Sequence, residues 1–232
     1  MAVPVLYTFL GAEHLRPPFV SDTEVYDLDQ LRADLKACST DDQRGLFAYT
    51  GFCSAYESPG LEVDGIGVLG LPLTDTSALK SIASETTAKT WEVGANQVSF
   101  INPKWDTSIQ KNLVPLATVE LGVDKAAISN TRAELVKLVL QEAGAELRVD
   151  DSTSAAGKYG VFEISLPSIH GGGQIIFMHD NYKKTWDTSK GSSYRLSFAG
   201  CYTDVDHVSN PIISGHRLLL SYNLVNISGE AL

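Results

Sequence analysis

Two residues near the end of the chain, His207 and Arg217, carry the clearest chemical signal in the sequence. They stand ten residues apart in CYTDVDHVSNPIISGHRLLLSYNL, on either side of a Pro-containing connection. A neutral imidazole ligates a divalent metal, and a guanidinium grips a carboxylate through two parallel hydrogen bonds. If the runs flanking the connection are neighbouring strands, both side chains reach one cavity. A metal beside a carboxylate clamp is the chemistry that a keto acid requires.

Other candidate motifs read as structure. Gly65-Ile66-Gly67-Val68-Leu69-Gly70 matches GxGxxG by letter, but Pro72 and a strand-like VLGLPL follow where a phosphate-binding helix would have to begin. His170-Gly171-Gly172-Gly173 lies between two strand signals and reads as a bend. In His179-Asp180 the two side chains would point to opposite faces of a strand, so the pair is expected at a strand end. Cys38, Cys53 and Cys201 are odd in number, far apart and without CxxC spacing, which points to reduced thiols.

The elements that must position these residues fall into two halves. The first half carries helix signals: 27–36 (DLDQLRADLK) opens on acidic residues and spaces Leu28, Leu31 and Leu35 along one face. Further helices are expected at 77–85 and at 108–121, the latter broken or kinked by Pro115. Strands are expected at 45–54 and 65–73. Residues 131–147 fit a helix by composition and a strand by alternation about Lys137. From Tyr159 onward come short β-rich runs separated by turns: YGVFEISLP, GGGQIIFMH, YKKTW, YRLSFAGCY and HRLLLSYNLV. That spacing predicts a sandwich or jelly roll, so the fold class is α+β, with an all-β back half braced by N-terminal helices.

Whole-chain properties narrow the function classes. The 232 residues, 44% of them hydrophobic, suffice for one compact unit. The balance of 18 basic against 28 acidic residues, a net charge of −10, argues against a nucleic-acid partner. The N-terminus MAVPVLYTFLGAEHL lacks a basic leader, and its apolar run is short and Pro-interrupted, so no membrane segment is expected and localisation is expected to be cytoplasmic or nuclear.

From about Pro59 onward the chain resembles the prolyl-4-hydroxylase-like iron(II) and 2-oxoglutarate oxygenases, most closely their fungal and lower-eukaryote members. The matching text is SPGLEVDGIGVLGLPL, TWEVGANQVSFINPKW, RAELVKLVLQEAG, YGVFEISLPSIHGGGQIIFMH and the closing CYTDVDHVSNPIISGHRLLLSYNL. The resemblance implies a double-stranded β-helix with its core at 131–225, a strand at ELVKLVLQEAG, and residues 1–58 as an N-terminal extension of a single domain. It also implies iron(II) and 2-oxoglutarate as cofactors, His207 as the later iron-binding histidine and Arg217 as the residue that binds the far carboxylate of 2-oxoglutarate.

The family's first metal motif, His-x-Asp or His-x-Glu, is absent: none of the five histidines is followed two residues later by an acid. Alignment from the left puts Asp150 on the missing histidine, and alignment from the right puts Asp151 on the acid, so both enter as candidate ligands. Two readings follow. One is an oxygenase with an altered iron site, hydroxylating a peptide or a small molecule. The other is a catalytically silent β-helix that serves as a binding or assembly module. A third, a metal-independent cupin-like carrier, would not need Arg217 inside the cavity.

Overall fold

The computed structural model describes residues 47–53, 56–87, 89–145 and 155–228. The chain divides into two units, 1–43 and 44–232, and every described residue lies in the second. The expected helix at 27–36, Cys38, and Asp150 and Asp151 lie outside the described residues.

Antiparallel sheet dominates. The long strands are β1 (Ala48–Cys53), β7 (Thr131–Glu142), β8 (Lys158–Leu166), β12 (Leu196–Tyr202) and β14 (Ile212–Asn226). With the β4–β5 hairpin (Ser84–Thr87, Thr90–Gly94) they form one sheet in the order β1-β12-β8-β14-β7-β5-β4, and β9 (His170–Gly172) pairs with the start of β14. A second sheet has the order β11-β10-β13, from Tyr182–Trp186, Ile175–His179 and Asp206–Ser209. A third, small sheet joins β2 (Leu61–Val63), β3 (Gly67–Val68) and β6 (Val98–Phe100).

The register shows why the central strands read as near-continuous apolar runs. Along β14, Leu218, Leu220, Tyr222 and Leu224 enter one core, while Leu219 enters another. Along β8, Phe162, Ile164 and Leu166 face the first core and Val161 the second. A strand covered on both faces loses the apolar and polar alternation of a half-solvated one. The second core draws Val139, Val161, Ala199 and Leu219 from the large sheet and Ile175, Phe177 and Trp186 from the three-stranded one. The two sheets therefore pack face to face, and successive strands pass between them, as in a jelly roll.

The helices cover the other face of the large sheet. They are α1 (Ser77–Ile82), α2 (Pro103–Ser108), α3 (Val114–Glu120) and α4 (Lys125–Ser129). Asn102 caps α2 by accepting from the Lys104 amide at 3.0 Å, with Pro103 at its first position. Trp105, Ile109, Leu113 and Ala117 recur at helical spacing and enter the first core. The expected kink at Pro115 takes a definite form: a π-helical segment, Ile109–Leu113, precedes α3. Proline has no N–H to donate and its ring crowds the carbonyl four residues earlier, so a wider turn at that point relieves the conflict.

The remaining expectations resolve as follows. Residues 131–142 are strand, not helix. The helix expected at 77–85 stops at Ile82 and the chain turns into β4. The GxGxxG stretch forms a turn and β3, with no helix at its glycines. His179 ends β10 and Asp180 stands in the following turn, as a strand-end pair should. Among the described residues no helix is long and apolar enough to cross a membrane.

Candidate functional site

Arg217 is the largest polar side chain among the fully buried residues, with no exposed surface. It starts on the inner face of β14, and its five N–H donors meet four groups. Nε and Nη2 both donate to Gln141 Oε1, at 3.0 and 2.6 Å. Nη2 also donates to Ser209 Oγ at 3.0 Å. Nη1 donates to Thr188 Oγ1 at 3.2 Å and, at close range, to the Gly173 carbonyl. Every one of these acceptors is neutral. Burial pushes the Arg217 pKa down to about 10, and the Glu163 carboxylate opposes that shift without bonding to the guanidinium. A buried cation held only by neutral dipoles retains most of its attraction for an anion.

Ser209, which accepts from Arg217, lies on the same strand as His207. The two residues stand two apart on β13, so their side chains share one face, roughly 6–7 Å apart along the strand. Across β10, Ser209 pairs with Ile175 and His207 with Phe177, whose ring lies 5.5 Å from the imidazole. His207 is half-buried. Its Nδ1 donates to the Val205 carbonyl at 3.3 Å, which leaves Nε2 as the nitrogen that faces away from the backbone. That Nε2 is buried and has no hydrogen-bond partner among the described residues. A cavity of about 320 Å³ is lined by His207 together with Val161, Met178, Tyr202, Val205 and Asp206.

The inner face of β8 contributes Glu163, 5% exposed, with Oε2 unpartnered. It stands two residues inward from Val161, directly across from Ser221 of β14 and Ala199 of β12. Gln141 Nε2 and Trp186 Nε1 are also buried donors without acceptors. Four unpartnered polar atoms thus border one sheet-to-sheet interior, where an unmade hydrogen bond costs roughly 1–3 kcal/mol.

The HGGG segment, expected only to bend, shapes the Arg217 environment. Gly172 and Gly173 both have positive φ, at 75° and 72°. A Cβ at Gly173 would collide with Ile212, so glycine lets the backbone approach and present its carbonyl to Arg217. The sequence signal for this role was a glycine run between two strands.

Arg217 bonds Ser209 on the strand that carries His207, but the cavity beside His207 is not lined by Arg217, and the two strands are not neighbours. β13 belongs to the three-stranded sheet and β14 to the large one, so the side chains approach from facing layers. Arg217 points inward, where a cupin-like carrier would not need it. Asp150 and Asp151, in the connection between β7 and β8, lie outside the described residues. Among the described residues no three His, Cys, Asp or Glu side chains converge as a metal group. His207 supplies one suitable donor, and the described residues alone do not make an iron site. Sequence reasoning missed Gln141, Glu163, Thr188 and the role of His170, none of which belongs to a recognisable motif.

No protein-family model and no curated protein matches the chain. Among solved structures it is similar to an oxidoreductase of the 2OG-Fe(II) oxygenase family from Burkholderia pseudomallei, with a TM-score of 0.41 and 11% identity over 64% of this chain and 75% of that one. It is also similar to a prolyl-4-hydroxylase from Pseudomonas putida, with a TM-score of 0.33 and 12% identity over 84% of each chain.

Proposed function

We propose that the interior between the two sheets binds 2-oxoglutarate, and that the protein is an oxygenase-like member of the iron(II) and 2-oxoglutarate class that acts on a peptide or a small molecule. The carrying observation is Arg217, a fully buried guanidinium with only neutral acceptors. In this reading it takes the distal carboxylate of the keto acid, exchanging neutral dipoles for a charge-assisted fork.

His207, with Asp151 or Asp150, would hold the metal. Iron(II) and 2-oxoglutarate, when bound, supply the dioxygen activation that hydroxylates an unactivated C–H bond. The chain's own residues bind and orient the keto acid. The apolar walls Ile175, Phe177 and Leu219 exclude water from it.

A specific observation favours a second reading, a silent binding module: all five Arg217 donors already have protein acceptors, and His207 Nε2 is sealed from solvent. Calorimetric titration of the full chain with 2-oxoglutarate separates the two. The oxygenase reading expects binding, at least tenfold weaker in Arg217→Leu, and conversion to succinate with iron(II) that is lost in His207→Ala. Binding without turnover leaves the module, and the absence of binding to the wild type overturns the proposal.

A further inference from the structure

The buried His170 has no place in the iron-site reading, yet its contacts lead to Arg217. Its Nδ1 lies 2.9 Å from the Ser168 carbonyl, and its Nε2 lies 2.9 Å from Thr188 Oγ1. That hydroxyl is the one that accepts from Arg217 Nη1 at 3.2 Å. Ser168 is itself tied to the start of the same strand: its hydroxyl accepts from the Leu218 amide at 3.0 Å and donates to the Leu166 carbonyl at 2.9 Å.

For a neutral imidazole only one proton arrangement satisfies the whole chain. A carbonyl cannot donate, so Nδ1 carries the proton and Nε2 is an acceptor. Thr188 has a single hydroxyl proton and must spend it on Nε2, which turns its lone pairs toward the guanidinium. The opposite tautomer would donate to Thr188 and free its proton to point at a cation.

We infer that His170 is a positioning residue for Arg217: by fixing the direction of the Thr188 hydroxyl, it holds Nη1 in the plane that receives a carboxylate. The inference rests on the reading of Arg217 as the carboxylate anchor. Charge supports it. Burial, and the neighbouring Arg217 and His216, act to keep the imidazole neutral, while the Ser168 carbonyl and Asp187 act the other way; the net pKa is pushed down to about 4. A neutral His170 with its proton on Nδ1 is the form whose Nε2 accepts the Thr188 proton and so fixes the direction of that hydroxyl.

The test has an arm that needs no ligand. In the full chain labelled with ¹⁵N-histidine and ¹⁵N-arginine, long-range proton–nitrogen spectra should show His170 as the Nδ1–H tautomer, with slowly rotating Arg217 Nη1 protons. His170→Leu and Thr188→Val should both speed that rotation, whereas His170→Gln, whose amide oxygen replaces the Nε2 acceptor, should restore it. In titrations with 2-oxoglutarate, the Leu and Val variants should bind at least tenfold more weakly and the Gln variant within about threefold of wild type. An Nε2–H tautomer, or an Arg217 signal unchanged in folded His170→Leu and Thr188→Val, overturns the inference. A wild type that binds no 2-oxoglutarate overturns the functional reading instead, and the arginine and histidine spectra still decide the relay.

Discussion

Arg217 carries its charge where ions are costly to bury, and the residues around it differ in what they contribute. Gln141, Ser209, Thr188 and the Gly173 carbonyl satisfy its donors; among the described residues, Glu163 supplies the opposing charge that bears on its pKa. A dicarboxylate entering this interior must approach Glu163 as well as Arg217. Glu163→Gln is therefore expected to tighten 2-oxoglutarate binding about fivefold, roughly 1 kcal/mol of relieved repulsion. Weaker binding in calorimetry would count against Arg217 as the anchor. His170 makes a second residue-scale prediction. Its folded pKa of about 4 lies below its ordinary value of 6.5, so between those values the unfolded chain binds more protons and stability rises with pH. Lowering the pH from 6.5 to 4 should cost the wild type on the order of 3 kcal/mol more than His170→Gln, read as the difference between their urea midpoints across that window.

At the scale of elements, β9 and the start of β14 form the floor of the site. The pairing of Gly172 with Ile212 and of His170 with Gly215 brings the HGGG backbone beneath the guanidinium. Gly173 is the vulnerable point, because its φ is +72° and a Cβ would run into Ile212. Gly173→Ala should lose about 2–4 kcal/mol in urea unfolding, combining the cost of positive φ with a clash that has little room to relax. It should also weaken 2-oxoglutarate binding, since the Gly173 carbonyl can no longer meet Nη1. Retained stability would mean that the backbone can move away without cost. The helical layer meets a comparable constraint at Pro115, where a π segment, instead of a break, keeps Ile109 and Leu113 directed at the sheet.

At the scale of the whole molecule, one sheet serves two cores. Leu219 and Leu220 are adjacent, both without exposed surface, and belong to opposite faces of β14. Leu219→Ala and Leu220→Ala should each cost about 2–5 kcal/mol, because neither face has solvent to fill the void. They should differ in function. The cavity left by Leu219 opens into the inter-sheet space and should loosen 2-oxoglutarate binding. The one left by Leu220 lies under the helices and should leave binding unchanged. Equal effects on binding would show that the two layers are not independent.

Much of the β half was legible in the residues themselves. Strand runs separated by turn residues marked β8, β10, β11, β12 and β14, and the chemistry of imidazole and guanidinium singled out His207 and Arg217. Local pattern carries this information because side-chain direction and turn chemistry are set within a few neighbouring residues. The strand at 131–142 needed more than pattern, since its sequence suits a helix equally well. The surroundings of Arg217 were not legible at all. Its partners Gln141, Gly173 and Thr188 lie 76, 44 and 29 residues away in the chain. No spacing rule joins them, and β13 and β14 face each other from different sheets instead of pairing. Sequence alone determined which residues can carry the chemistry and which segments extend. Only the tertiary structure decided that the arginine charge is buried among neutral acceptors from both sheets, because burial and facing layers arise from packing between segments distant along the chain.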